Sequence, residues 1–202
     1  MLEIIDVSKQ YDGKPLLQGI YLEVSHGETL ALLGASGSGK STLLRIIAGL
    51  ERPESGDVRW DGKSILDIPV HQRKFGLVFQ DYALFPHLTV EQNVAFGLSM
   101  QKVDPVRIQE ITNKALEKVK MKSFAQRDVM ELSGGEQQRV ALARTLASNP
   151  RLFMFDEPLA ALDRNLRQGL VTDLRDILLE AGTPAIYVTH DQEEAFTLAD
   201  RL

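Results

Sequence analysis

The octapeptide that decides the fold class is Gly34-Ala35-Ser36-Gly37-Ser38-Gly39-Lys40-Ser41. It fits the pattern G-x-x-x-x-G-K-[ST] without a mismatch. The glycines let the backbone wrap closely around phosphates, so that successive N–H groups and the start of a helix meet the negative charge. In such a loop Lys40 reaches the β- and γ-phosphates and the Ser41 hydroxyl binds Mg²⁺, while Thr42 lies beside the α-phosphate.

The surrounding residues favour this interpretation over a chance match in a flexible turn. A short apolar run at residues 28–33 precedes the loop, and a helix is predicted from residue 39 to about residue 50. The side chains expected to face the core are Leu43, Leu44, Ile46, Ile47 and Leu50. Strand, loop and helix in this order are the context in which the pattern binds a nucleoside triphosphate.

Two adjacent acids, Asp156 and Glu157, follow the apolar run at residues 152–155. Four apolar residues in a row indicate a strand buried on both faces, and open α/β sheets bind ligands at the carboxyl ends of such strands. There Asp156 can hold Mg²⁺, and Glu157 can accept a proton from an attacking water. An exposed acidic turn is the alternative, but beside a complete phosphate loop the pair favours hydrolysis over binding alone.

The hexapeptide Leu132-Ser133-Gly134-Gly135-Glu136-Gln137 begins a predicted helix. Ser133 and Glu136 alone have the spacing of a capping box, which occurs at many helix starts. Two glycines are costly in a first helical turn and a cap does not need them, so they indicate close approach of another group to the backbone. A helix start with bare N–H groups and a hydroxyl suits a γ-phosphate.

The rest of the chain predicts an α/β protein with a helical insertion. The first third consists of short strands with turns at residues 12–13 and 61–62, and residues 75–79 form another buried strand. Helices dominate from about residue 89 to 146, after which strands and helices alternate. We predict a P-loop NTPase core with a parallel sheet, an N-terminal antiparallel β subdomain and an inserted α-helical subdomain.

The predicted domain organisation is a single domain over residues 1–202. Residues 1–80 and 150–202, approximately, would form the β subdomain and the core, and about 81–149 the helical subdomain. The net charge of −5 makes nucleic acid a poor candidate partner, and the lack of cysteine excludes disulfides and thiolate metal sites. Without a signal peptide or an apolar run of about 18 residues, we expect a cytoplasmic protein with no direct membrane insertion.

The phosphate loop, the hexapeptide and the acid pair occur in the order found in ABC transporter ATPases, which the chain resembles over essentially its whole length. The resemblance implies ATP and Mg²⁺ as ligands and a head-to-tail homodimer. Each ATP would lie between the phosphate loop of one chain and Ser133, Gly134 and Gly135 of the other. It also implies transmembrane permease subunits, an extracytoplasmic solute-binding protein in the complex, and a peripheral location on the inner face of the cell membrane.

The resemblance also gives roles to single residues. Tyr11 would stack on adenine, and Gln80 would touch Mg²⁺ and water and sense the membrane partner. His190 would contact the γ-phosphate, and Asp163 lies in a loop that couples the two sites. Ala160 stands where the family usually has serine, so one intersubunit hydrogen bond would be absent. The expected catalytic residues are Lys40, Gln80, Glu157 and His190, and the expected metal ligands are Ser41, Gln80 and Asp156.

The segment 81–90 favours an importer, because it directly follows Gln80 and carries Leu84, Phe85 and Leu88, which could receive a helix of a partner. Ordinary core packing explains these residues equally well. The run resembles importers of ferric iron, polyamines, sulfate or sugars. Family members continue beyond the position of Leu202, so we expect a truncated cassette.

Two other functional classes remain open at this point. A soluble ABC ATPase acting on nucleic acid or the ribosome would have a long coiled coil or a second cassette in many members, and this sequence has an ordinary helical insertion. A small-molecule kinase with a phosphate loop would not need the hexapeptide. Binding to a membrane permease would discriminate between these classes and a transporter.

Overall fold

The structure is a computed structural model that describes residues 1–101, 103–160, 162 and 164–202, with only the helical backbone at 164–166. Its strands are, in chain order, β1 (Leu2–Tyr11), β2 (Lys14–Val24), β3 (Thr29–Leu33), β4 (Ser55–Trp60), β5 (Lys63–Ser64), β6 (Phe75–Val78), β7 (Leu152–Asp156) and β8 (Ala185–Thr189). Its helices are α1 (Lys40–Ala48), α2 (Val70–Arg73), α3 (Val90–Met100), α4 (Pro105–Lys118), α5 (Gly134–Ala147), α6 (Arg164–Ala181) and α7 (Gln192–Leu198).

The strands form two four-stranded sheets. The first is antiparallel with the order β2-β1-β4-β5, and the second is parallel with the order β3-β8-β7-β6. Asp12 and Gly13, with φ of 50° and 75°, form the tight turn between β1 and β2. The mixed α/β fold that the sequence predicts is therefore confirmed.

The parallel sheet separates two apolar cores, because successive side chains of a strand point to opposite faces. Phe153 and Phe155 of β7 join a cluster formed with the helices. Leu152 and Met154 join a cluster formed with the antiparallel sheet and α1. Both faces are covered, which explains why β7 is apolar up to Asp156 and why β8 is buried along its whole length.

Helices α3, α4 and α5 pack against one another, and their starts follow the local signals in the sequence. The Thr89 hydroxyl accepts a hydrogen bond from the Gln92 N–H at 3.3 Å, and the Gln92 side chain accepts one from the Thr89 N–H at 3.0 Å. Asp104 caps α4 by accepting from two N–H groups, with Pro105 in the first turn. Both helix starts therefore carry capping signals that can be recognised in the sequence alone.

The prediction that Leu50 faces the core is wrong. Helix α1 ends at Ala48, and Gly49 turns the backbone into the left-handed region with φ of 84°. Leu50 therefore leaves the helical phase and is 48% exposed. The helix ends at this glycine cap, slightly before the predicted end at about residue 50.

Arg73 holds the C-terminal end of α1 and was missed by the sequence analysis. Its Nη1 donates to the carbonyl oxygens of Ile46 and Ile47 at 3.1 and 2.8 Å, and its Nη2 donates to Leu66 at 3.1 Å. A Cβ at Gly49 would lie 2.6 Å from the guanidinium carbon. The guanidinium thus satisfies the last carbonyls of α1 and complements the helix dipole.

Among the described residues, no helix combines the length and the apolar character that a membrane span requires.

Candidate nucleotide site

The parallel register gathers the candidate site at one edge of the second sheet. Leu33 of β3 pairs with Thr189, Asp156 with Val188, and Val78 with Phe155. Because the strands are parallel, their carboxyl ends lie side by side. The phosphate loop and the residues that follow β6, β7 and β8 therefore share this edge.

The phosphate loop connects β3 to α1 and leaves its backbone open. Residues 34–38 are exposed, whereas Gly39 is buried at the helix start with φ of 92°. A Cβ at Gly39 would lie 2.7 Å from Leu17 Cδ2, so both the backbone conformation and the packing require glycine. Gly37, with φ of 80°, also adopts the left-handed conformation, and no atom would lie within 4 Å of a Cβ at this position.

Lys40 folds its side chain back over the same loop. Its Nζ donates to the carbonyl oxygens of Gly34 and Ala35 at 2.8 and 2.9 Å and lies 3.5 Å from Ser38 Oγ. These bonds hold the ammonium above a segment of backbone that includes the exposed Ser36. A cationic group held over an open loop at a helix start fits a bound phosphate chain.

Ser41 and Asp156 are brought into direct contact across 115 sequence positions. The Ser41 hydroxyl donates to Asp156 Oδ1 at 2.7 Å. Hydroxyl and carboxylate oxygens are the ligands that Mg²⁺ prefers, and a nucleotide-bound Mg²⁺ takes only one or two carboxylates from the protein. The described part of the chain has no cluster of three or more His, Cys, Asp or Glu residues that could hold a metal ion. The two side chains fit a magnesium ion.

Glu157 and His190 form a pair beside these ligands. His190 Nδ1 lies 3.0 Å from Glu157 Oε2, so a protonated Nδ1 donates to the carboxylate. Glu157 has a φ of 47°, an uncommon conformation for a non-glycine residue, and its N–H donates to the Val188 carbonyl at 3.0 Å. The histidine side chain is 57% exposed, so this pair borders solvent.

Gln80 lies at the same sheet edge but does not reach the other predicted ligands. It follows β6 two positions beyond Val78 and is exposed. Its side chain makes no hydrogen bond with the described residues. Its predicted contact with Mg²⁺ stays a prediction.

Tyr11 ends β1 with 45% of its surface exposed. Its hydroxyl donates to Glu51, and this hydrogen bond raises the pKa of the phenol, while an interaction with Thr42 has the opposite effect on that pKa. The Lys9 ammonium lies 5.4 Å from the ring centroid. The ring is thus held beside the start of α1 with surface free for stacking. Glu51 was not singled out from the sequence, since nothing in its neighbourhood marks it.

The hexapeptide forms the start of α5, away from these contacts. The Ser133 N–H and hydroxyl both donate to Glu136 Oε2, at 2.8 and 2.7 Å, and these bonds lower the pKa of Glu136. A Cβ at Gly134 would meet Leu162 Cδ2 at 3.3 Å, and Gly135 is buried. Among the described residues, no hydrogen bond or ion pair joins 133–135 to 34–42. The predicted coupling residue Asp163 lies outside the described residues.

Comparison with known proteins identifies relatives along the whole chain. A family model described as ABC transporter matches residues 17–160. The spermidine/putrescine import ATP-binding protein PotA of Spiroplasma citri is 50% identical over 202 residues, covering 100% of this chain and 58% of that protein. The putrescine transport ATP-binding protein PotG of Escherichia coli K12 is 48% identical and is covered to 54%. The chain thus spans little more than half the length of these relatives.

Solved structures agree with the fold. CbiO1 from Clostridium perfringens, part of the ABC transporter complex cbiONQ, superposes with a TM-score of 0.90 at 31% identity, covering 98% of this chain and 82% of that one. The ATP-binding cassette MJ0796, solved as a dimer in a post-hydrolysis state with ADP and Pi, gives a TM-score of 0.85 at 32% identity. That match covers 98% of this chain and 91% of the other.

Proposed function

Since the chain belongs to the ABC transporter family as an ATP-binding cassette, we propose that it hydrolyses MgATP to drive solute uptake through a membrane permease. The observation that carries this proposal is the arrangement at the edge of the parallel sheet. There the Ser41–Asp156 bond and the Glu157–His190 pair lie next to an open phosphate loop. The names of PotA and PotG support the direction of transport, which is import.

ATP binding would use groups that the chain already holds in place. The N–H groups of residues 34–42 and the Lys40 ammonium would contact the phosphates, with Thr42 beside the α-phosphate. The exposed ring of Tyr11 would stack on adenine. Because these groups lie on β1, the loop and α1, one chain can supply most of the binding contacts.

Ser41 and Asp156 would hold Mg²⁺, with Gln80 as a further ligand from the neighbouring strand end. When bound, the ion neutralises negative charge on the phosphate oxygens. The hydrogen bond between Ser41 and Asp156 keeps the two oxygens together beforehand. This preorganisation lowers the entropy cost of assembling the site.

Glu157 would accept the proton from the attacking water, and His190 would hold the transition-state geometry. Asp156 bonds to Ser41 and Glu157 to His190, so the two adjacent acids have different partners and can serve different tasks. The Lys40 ammonium would stabilise the charge on the γ-phosphate. Catalysis is then positioning plus charge stabilisation, as in phosphoryl transfer generally.

A head-to-tail homodimer would complete the site. Ser133 and Gly134 are exposed at the start of α5, and among the described residues no bond connects 133–135 to the phosphate loop of their own chain. The dimeric form of MJ0796 supports an arrangement in which a second copy supplies them. ATP would favour the closed dimer, and product release the open one.

The permease would dock on the segment that follows Gln80. Phe85 stacks on Phe96 with ring centroids 4.2 Å apart, and Phe96 is 37% exposed. Leu84 packs against the helical core, and Phe85 and Leu88 are half-buried. The apolar surface offered to a partner is therefore centred on the two phenylalanines. An extracytoplasmic solute-binding protein and a position on the inner face of the cell membrane complete the proposed assembly.

The domain organisation is also part of the proposal. A single domain would contain a helical subdomain over about 81–149, with the β subdomain and core in about 1–80 and 150–202. The alternative function, a soluble ABC ATPase acting on nucleic acid or the ribosome, has no support in the names of these relatives.

The test is uptake by the complete transporter in cells. Because PotA and PotG are named for spermidine and putrescine, radiolabelled polyamines are the first solutes to measure. We expect uptake with the native chain and none with Glu157→Gln, at equal amounts of membrane-associated protein. An active ATPase that copurifies with ribosomes or DNA and with no permease would overturn the import assignment.

A further inference from the structure

Glu194 is a buried carboxylate that the proposed mechanism does not use. It lies in α7 with 5% exposure, and its Oε2 accepts hydrogen bonds from Tyr187 Oη at 2.9 Å and Thr189 Oγ1 at 2.8 Å. Both donors are on β8, the strand that leads into His190. Burial, together with this carboxylate, raises the pKa of the Tyr187 phenol well above its ordinary value. The carboxylate thus attaches α7 to the end of β8.

Arg167 of α6 contacts the loops after β7 and β8 at once. Its Nη2 donates to the Leu162 carbonyl at 2.8 Å, and its Nη1 donates to Asp191 Oδ2 at 3.4 Å. Its Nε is 3.6 Å from Glu194 Oε1, beyond hydrogen-bonding distance, and has no other partner in the described structure. The guanidinium therefore bridges the loop that follows Glu157 and the loop that contains His190.

These contacts fix the residues on both sides of His190. Thr189 is bound to Glu194 and also accepts from the Asp191 N–H at 3.0 Å, while Asp191 is bound to Arg167. The His190 ring itself borders a cavity of about 780 Å³ between α6 and α7 and is mostly exposed. Its position is therefore set by anchored neighbours more than by packing.

We propose that Arg167 and Glu194 are positioning residues that hold Glu157 and His190 at their working separation. We call the two residues the bracket, because they connect the loop that follows Glu157 to the loop that contains His190. This proposal rests on the proposed function, which assigns the catalytic roles to Glu157 and His190. A buried ion pair adds little to stability compared with an apolar pair of the same shape, so its expected role is to define one geometry. Loss of either member lets the two loops move independently.

Glu194→Gln and Arg167→Met test the bracket, with Arg175→Met as the matched control. Arg175 also joins α6 to α7, through the Thr197 carbonyl, but at the far end from His190. We expect the two bracket variants to lower kcat for ATP at least about 10-fold, because misplacing a catalytic group by about 1 Å has effects of that size. KM should stay within about twofold, and the double variant should be no worse than the poorer single variant.

Arg167→Lys keeps the charge but can reach only one of the two loops, so its kcat should be intermediate. Arg175→Met should keep the native kcat. A native kcat in Glu194→Gln, or a loss fully explained by a smaller folded fraction in thermal melts, would overturn the proposal. If a bracket variant folds poorly, Tyr187→Phe removes a single hydrogen bond to Glu194 and should still lower kcat a few-fold without changing KM.

Hydrogen exchange provides a readout that does not depend on activity. Backbone amides in peptides containing Glu157 and His190 should exchange faster in both bracket variants and stay native in Arg175→Met. Unchanged exchange at these two loops would contradict the bracket even if the native chain hydrolyses no ATP. A complete transporter that hydrolyses no ATP with the native chain, whether or not the loops loosen, would instead refute the proposed function.

Discussion

The phosphate loop and the hexapeptide at 132–137 are both glycine-rich helix starts, but the chain supports them in different ways. Ser41 of the loop bonds to Asp156, 115 positions away, next to the Glu157–His190 pair. The Ser133 side chain bonds to Glu136, three positions away. The first site is assembled by tertiary contacts and the second by local ones. The difference supports our proposal that one chain supplies most contacts of the phosphate loop, whereas the hexapeptide is presented to a partner.

Gly39 and Gly134 also differ in how strongly the contacts of the chain itself require glycine. Gly39 has φ of 92° and would place a Cβ 2.7 Å from Leu17, so the fold of the chain itself requires glycine there. Gly134 has no left-handed conformation, and its Cβ would meet the end of the Leu162 side chain at 3.3 Å, a less severe contact than the one at Gly39. The chain itself thus gives a weaker reason for glycine at 134 than at 39, which supports our proposal that a partner approaches this helix start.

The largest effect is expected at the phosphate-loop site, from a substitution of Glu157. Glu157→Gln should lower kcat for ATP by about 100-fold or more, because the carboxylate that accepts the proton becomes a neutral amide. ATP affinity, measured by calorimetry, should change by less than about threefold, since the phosphate contacts remain. Glu180→Gln, on the exposed face of α6, should hydrolyse ATP normally. Rapid turnover by Glu157→Gln would remove this residue from its assigned role.

The second prediction concerns the hexapeptide. In the Glu157→Gln background, Ser133→Asp should weaken the ATP-dependent dimer by at least about 10-fold, because it places a negative charge against the γ-phosphate of the partner site. Ser133→Asn is the matched control, since Asn and Asp cap helices equally well. Light scattering with and without MgATP gives the molar mass. A dimer in both variants would show that the hexapeptide does not meet the nucleotide, and a monomer in the background itself would mean that closure needs other subunits.

Replacing glycine by alanine at each site tests whether Gly39 and Gly134 are required for different reasons. Gly39→Ala should destabilise the chain by about 1–3 kcal/mol, because alanine is strained at this φ and meets Leu17. Gly134→Ala should stay within about 1 kcal/mol of the native stability, since alanine is the better helix former. Urea unfolding measures both, and the ATP-dependent dimer of Gly134→Ala should be weaker. Equal stability losses would contradict the distinction between the two sites.

The smallest effect is expected at Tyr11, at the edge of the phosphate-loop site. Tyr11→Ala should reduce ATP affinity by roughly fivefold, which corresponds to about 1 kcal/mol of base stacking. Tyr11→Phe should bind ATP normally, because the ring remains and only the hydrogen bond to Glu51 is lost. Calorimetric titration with ATP separates the two variants. If Phe and Ala weaken binding equally, the Glu51 contact and not the ring is what matters.

Local signals in the sequence predicted many elements correctly. The helix caps at Thr89 and Asp104 and the turn at residues 12–13 depend on backbone groups within a few residues, so they can be recognised without the fold. Strand β7 was recognised because a strand buried on both faces has no polar side chains. The prediction for Leu50 failed, since the glycine cap one residue earlier ends the helical phase.

The sequence did not indicate which residues connect distant segments of the folded chain. Arg73 and Arg167 look like ordinary surface arginines in the sequence, yet Arg73 bonds to carbonyl groups 27 and 26 positions away and Arg167 to a carboxylate 24 positions away. Glu194 lies three positions after Asp191, the spacing of a capping box, but its side chain turns to β8 instead of returning to the helix start. The spacing could have drawn attention to Glu194, although only the packing of α7 on the sheet shows which partners it takes.

Three functional segments could be recognised from the amino-acid sequence: a loop that can wrap phosphates, an acid pair after a buried strand, and a glycine-rich helix start. These properties depend on residues adjacent in the chain, and their physical causes are local. Tertiary structure alone decided which segments meet, because the register of the parallel sheet sets which strand ends lie side by side. That register joins Ser41 to Asp156 and Glu157 to His190 and leaves Ser133 with its own helix.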